Sequence, residues 1–209
     1  MKNFSKPKSK RAGVTLVEII VAMGIFIIIV IAWNSIIIQS YRSAEFGRQQ
    51  QEAIRQAQKG IEIMTQEIRE ASTAENGSYA LEKADDNEII FYSDIDKDVY
   101  TERVRYWLDE KSLKKGVVEP TGDPLDYNPA NEQTKIISNF VNNSTQPLFT
   151  YYNEDYPYDV INNPLPAPAR LIDTKLIHIF LRVNIDPSKA PKDFDVESDV
   201  QLRNLKTNL

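Results

Sequence analysis

The sequence predicts an α+β fold, in which one long N-terminal helix packs its second half on a C-terminal antiparallel sheet. Three observations predict it. No proline stands between Lys8 and Val118, so a helix that starts near Val14 can run on without a break. Ile54, Ala57, Ile61, Met64, Ile68 and Ala71 recur at alternating steps of three and four, which places all six on one helix face. Beyond Gly77 the pattern changes to short alternating segments separated by Asp, Asn, Gly and Pro, the mark of strands and turns.

Taken in order, residues 1–13 form a basic leader, with Lys2, Lys6, Lys8, Lys10 and Arg11 and no acidic residue. The whole chain has a formal net charge of −5, and without those five positive charges the rest carries −10. An acidic remainder argues against a nucleic-acid footprint over the domain, since phosphate binding needs a basic surface. Residues 14–38 are almost wholly apolar, interrupted by Thr15, Glu18, Asn34 and Ser35. About 20 apolar residues cross a bilayer core as a helix, and basic residues ahead of the span place its N-terminus in the cytoplasm. A cleavable secretory signal would end in small residues, whereas Trp33 and Ile36–Ile38 stand here. Glu18 is out of place in an ordinary anchor, because a carboxylate at a membrane-helix centre costs about 2.5–3.5 kcal/mol on insertion scales.

Residues 39–76 continue the helix outside the membrane. "QSYRSAEFGRQQQEA" is polar all round, and the apolar stripe follows it. The stripe spans too few heptads for a coiled coil and leads straight into strands, so a sheet is its expected cover. Gly77, in "AENGS", is the expected stop. Residues 77–209 form the sheet domain. "NEIIFYSDI", "VYTERVRYWLD" and "KSLKKGVVEP" read as strands in succession, with Val104, Tyr106 and Leu108 on one face. "TKIISNFV" and "QPLFTYYN" are shorter strands, and residues 153–170 form a proline-rich surface loop. "LIDTKLIHIFLRVNI" is apolar enough to be central, and "FDVESDVQLRN" alternates Phe194, Val196, Val200 and Leu202 against acidic and basic residues. The loop "DPSKAPKD" joins these two as a hairpin.

The stretch "AGVTLVEIIVAMGIFIIIV" resembles the N-terminal signature of type IV prepilins and prepilin-like pseudopilins: a basic leader ending in Gly13, an apolar Val14, and Glu18 fifth in the mature chain. The resemblance implies the type IV pilin-like fold. It also implies cleavage between Gly13 and Val14 by a membrane prepilin peptidase on the cytoplasmic side, then N-methylation of Val14. Val14 departs from the phenylalanine usual at that place, and the membrane helix lacks the proline common in major pilins. The second departure fits a minor subunit. "FYSDIDKDVYTERVRYWLD" with "SDVQLRNLK" also looks like the J-class minor pseudopilins of type II secretion. The expected function is therefore a minor pilin or pseudopilin of a pilus, competence or secretion filament, held in the inner membrane with the sheet domain outside. Expected partners are the prepilin peptidase, sister subunits, an inner-membrane assembly platform and membrane lipid. Glu18 has a physical role in that setting: in low dielectric it can pair with the Val14 amine of a neighbouring subunit, and a wrong register would strand both charges. The rival expectation is a single-pass anchored binding or sensor domain that never polymerises.

Other candidates carry less. Asp94, Asp96 and Asp98 alternate, with Glu102 beyond, as hard-cation loops require. An EF-hand fails, because Val99 stands where glycine belongs and Arg105 where glutamate belongs. Calcium and a solvated acidic turn are both open readings; no other cofactor is expected. His178 is the only histidine and there is no cysteine, so common zinc sites and thiolate chemistry are excluded. With no G-x-S-x-G either, the expectation is assembly and not catalysis. Tyr151, Tyr152, Tyr156 and Tyr158 are either an interface patch or a cover for the sheet end.

Overall fold

A computed structural model describes residues 13–189 and 193–203. The leader up to residue 12, part of the "DPSKAPKD" loop and the last six residues lie outside the described residues. The chain divides into two compact units at Arg48/Gln49.

One helix, α1 (Leu16–Arg69), opens the described chain. Thr15 caps it: its Oγ1 accepts the Glu18 N–H at 3.3 Å, and its carbonyl accepts the Ile19 N–H at 3.2 Å. In the first unit the apolar side chains are exposed along the whole run, Leu16 at 74 % and Ile28 at 68 %, so nothing within this unit covers them. The helix is long and apolar enough to cross a membrane, by length and composition.

In the second unit the same helix is amphipathic. Ala53, Ala57, Gly60, Ile61, Met64, Thr65 and Ile68 are buried, the expected stripe with Ala53 fully covered and Ile54 half-buried at its edge. The helix closes at Arg69, earlier than Gly77 would place it. The reason is competition for backbone. Ser72 N–H donates to Tyr92 O at 2.9 Å, so the chain peels off to bond a strand before the helix can extend. Gly77 does adopt a left-handed φ of +84°, but in a separate turn where its N–H bonds Ala74 O.

Among the described residues eight strands follow, and they divide between two antiparallel sheets where the sequence suggested one. The first holds β1 (Leu81–Ala84), β2 (Glu88–Ser93), β3 (Glu102–Asp109), β4 (Ser112–Val118) and β5 (Gln133–Asn139) in chain order. The second holds β6 (Phe149–Tyr152), β7 (Leu176–Val183) and β8 (Phe194–Gln201), with β7 central. Between β7 and the proline-rich loop lies a single-turn helix, α2 (Arg170–Asp173), which takes up the "LID" expected to begin the strand. The split arises after β5, where Phe140 (φ 62°) and Ser144 (φ 55°) turn the chain out of the first ladder. Asn143, buried between them, donates from Nδ2 to Phe180 O and accepts from Arg182 N–H, both at 2.9 Å, so its side chain completes the edge of β7 that short β6 leaves unpaired.

Both sheets share one core with the helix. Met64, Ile68 and Ala57 meet Ile89, Phe91, Val104, Tyr106 and Leu113 from the first sheet, and Tyr151, Ile177, Ile179, Leu181 and Val200 from the second. Polar ties fix the helix on both sides. Tyr106 Oη donates to Glu67 Oε2 at 2.7 Å, and Thr65 Oγ1 to Ser198 Oγ at 3.2 Å.

Candidate processing and assembly segment

Gly13, Val14 and Thr15 precede the first helical residue and are exposed. A peptide bond must be free of helix and reachable to enter a protease cleft, and the residues on either side of the Gly13–Val14 bond are non-helical and exposed. The bond stands two residues ahead of the helix, and nothing lies within 4 Å of where a Cβ on Gly13 would be.

The four polar interruptions of the apolar run then separate into two kinds. Asn34 Nδ2 donates to Val30 O and Ser35 Oγ to Ile31 O, each at 3.1 Å, so both side chains are satisfied by the carbonyl one turn back. Thr15 is satisfied as the cap. Glu18 is different. Only its backbone N–H is engaged, and its carboxylate has no hydrogen-bond or ion-pair partner among the described residues. Thr15-Leu16-Val17-Glu18 has the spacing of a capping box, in which the glutamate reaches back to the cap N–H; here that return bond is not made. A negative charge in the first turn still gains about 0.3–1 kcal/mol from the helix dipole. That is smaller than the insertion cost, about 2.5–3.5 kcal/mol at full depth, so the helix alone leaves Glu18 unexplained.

The acidic hairpin lies in the second unit. The loop between β2 and β3 brings one carboxylate oxygen each from Asp94, Asp96 and Glu102 within 4.8 Å of one another. Asp98 is outside this trio, and its Oδ1 accepts the Tyr100 N–H at 2.5 Å. Glu102 is fully buried; its Oε2 accepts the Ile95 N–H at 2.8 Å. Burial pushes its carboxyl up to about 7, against the pull of the Ile95 bond, and the charges of Glu119, Asp96 and Asp98 add to the rise. The aspartate spacing pointed to the loop, but no one-dimensional signal marked Glu102, at the start of β3, as its buried member.

The remaining candidates are placed plainly. His178 pairs through Nδ1 with Asp199 at 2.7 Å across the β7–β8 ladder. Tyr151 is a core residue whose hydroxyl donates to Asp85 O at 2.8 Å. Tyr152 and Tyr156 pack ring to ring with centroids 4.2 Å apart, and Tyr158 is exposed.

Among curated proteins no sequence matches the chain. The prokaryotic N-terminal methylation motif matches residues 8–33, a stretch that contains Gly13, Val14 and Glu18. Such a motif implies processing by a prepilin peptidase and assembly with other pilins, and with the apolar helix it supports a membrane-anchored protein. The motif supports a prepilin-like protein, and the single long helix it opens and the antiparallel sheets behind that helix are consistent with the type IV pilin fold.

Proposed function

We propose that this protein is a minor pilin or pseudopilin: a non-catalytic subunit of a pilus, competence or type II secretion filament, cut between Gly13 and Val14 and N-methylated at Val14. The observation that carries the reading is the Glu18 carboxylate, without a partner among the described residues, in an apolar run whose other polar interruptions, Thr15, Asn34 and Ser35, are satisfied internally. A charge without a partner among the described residues, on a surface that must sit in lipid or against other helices, calls for a partner from another chain. The new amine of a neighbouring Val14 supplies one. Before assembly, the 14–38 section holds the subunit in the inner membrane with its N-terminus cytoplasmic; afterwards it lies in the filament core. The sheet domain then faces outward toward sister subunits or cargo, and a prepilin peptidase and an assembly platform act on the membrane section.

The half-formed capping box favours a second reading, a single-pass anchored domain in which Glu18 serves the helix N-terminus alone. One experiment separates them. Intact mass and N-terminal sequence are measured on protein from membranes with and without a co-expressed prepilin peptidase, for the wild type and Glu18→Gln. A peptidase-dependent start at Val14, and at least tenfold less cross-linking to sister subunits in Glu18→Gln, is the expected result. A leader retained under both conditions assigns the chain to the anchored class.

A further inference from the structure

We infer that the loop between β2 and β3 is a divalent-cation site of the calcium type, with Asp94, Asp96 and Glu102 as its protein carboxylates. The inference is independent of processing and assembly.

Three observations carry it. The first is convergence. One oxygen from each of the three carboxylates lies within 4.8 Å of the others. Two oxygens on opposite sides of a calcium ion stand about 4.6–5.2 Å apart, so a single ion can touch all three with little movement. The second is Glu102 itself. It is fully buried, and apart from the neighbouring Glu119 carboxyl no donor is matched to its Oε1, while Oε2 holds the Ile95 N–H. Buried carboxylate oxygens are ordinarily matched by donors or cations, because an unmatched charge is costly to bury. The third is the sign of the surroundings. Glu119 contacts Glu102 and feels Asp96 and Asp98, so the cluster is crowded with negative charge. Among the described residues no lysine or arginine forms an ion pair with Asp94, Asp96, Asp98, Glu102 or Glu119, although such pairs are common elsewhere among them, as at Arg103–Glu82, Arg105–Glu88 and Lys115–Glu67.

The chemistry then selects the ion. An all-carboxylate set suits a hard cation and not zinc or copper, which favour imidazole and thiolate. Three carboxylates from one irregular loop suit calcium, which accepts flexible geometry, better than magnesium, which binds one or two carboxylates and keeps its water. The site has a mechanical consequence. Thr101, beside Glu102, donates from its N–H to Glu75 Oε1 at 3.2 Å, and its carbonyl accepts the Tyr127 hydroxyl at 2.6 Å. A bound cation would therefore stiffen the junction where the chain leaves α1 and enters the first sheet.

The test uses the full chain in detergent, stripped with a chelator and titrated with calcium or magnesium during thermal unfolding. At about 10 mM calcium the melting temperature rises by about 2–6 °C, as expected for a site of roughly millimolar to submillimolar affinity, and magnesium gives less than half that shift. Glu102→Gln keeps the side-chain shape and removes the buried charge, so it folds; its calcium shift is lost. Tyrosine-sensitised terbium luminescence gives a second reading, falling at least tenfold in Asp96→Asn, a change on the exposed side of the loop. An unchanged melting temperature in the wild type, an equal calcium shift in Glu102→Gln, or full terbium signal in Asp96→Asn overturns the assignment.

Discussion

At the scale of single residues, Tyr106 shows how a polar atom specifies a core. Its ring is fully buried and lies parallel to Phe91 with centroids 6.2 Å apart, while its hydroxyl reaches Glu67 on the covering helix. Glu67 in turn accepts from Lys115 Nζ at 2.6 Å. Burial, with the Glu67 charge beside it, raises the hydroxyl well above its ordinary value, so it remains a donor through the physiological range. Tyr106→Phe should keep the packing and remove one donor from a charged acceptor, a loss of about 1.5–3 kcal/mol. Urea unfolding should show a lower midpoint with an unchanged slope. The stripe and the strand alternation made Tyr106 legible as a core residue. The pairing with Glu67, 39 positions earlier in the chain, was not, since it depends on where the helix lands on the sheet.

At the scale of elements, the contact between α1 and β5 depends on one missing side chain. A Cβ at Gly60 would stand 2.6 Å from Ile137 Cγ2, closer than carbon atoms approach. Alanine would gain about 1 kcal/mol of helix propensity there but would overpack the interface at a cost of about 1–3 kcal/mol. Gly60→Ala should therefore lower stability by roughly 1 kcal/mol, seen as a drop of a few degrees in melting temperature. Gly47→Ala, with nothing within 4 Å of its Cβ position, should show no such drop. In sequence Gly60 looks like a tolerated weakness in the helix. Only the approach of Ile137 turns it into a requirement.

At the scale of the whole molecule, carboxylates with lowered pKa values set the acid limit of the fold. Hydrogen bonds from Arg103, then one from Tyr92, hold Glu82 below its usual 4.5 against the opposing effect of burial. Burial pushes Glu88 up, but hydrogen bonds from Lys83 and Arg105 outweigh it and leave that carboxyl lowered too. A carboxylate whose folded pKa is depressed contributes stability that is fully present above its unfolded pKa and is lost as pH falls through the folded value. Melting temperatures of the sheet domain within the full chain should therefore decline below about pH 4.5. Glu82→Gln should flatten that decline while lowering stability at pH 7. Much of this pattern lies between neighbouring strands, as in the β1–β2–β3 group of Glu82, Glu88, Arg103 and Arg105, and so depends on register that composition does not contain.

The fold class, the long helix, its covering stripe and the prepilin-like N-terminus were determined by the sequence alone, because each rests on periodicity or on residues within one or two helical turns. Apolar spacing decides which helix face is buried whatever buries it, and the spacing of Gly13, Val14 and Glu18 is local chemistry in a continuous helix. Tertiary structure decided what depends on contacts distant in the chain. It ended α1 at Arg69, where Tyr92 offered Ser72 a better partner than another helical turn. It divided the strands between two sheets, where Asn143 fills the unpaired edge of β7. It also joined Glu102 to Asp94 and Asp96, because burial is a property of the space around a side chain and not of its neighbours in sequence.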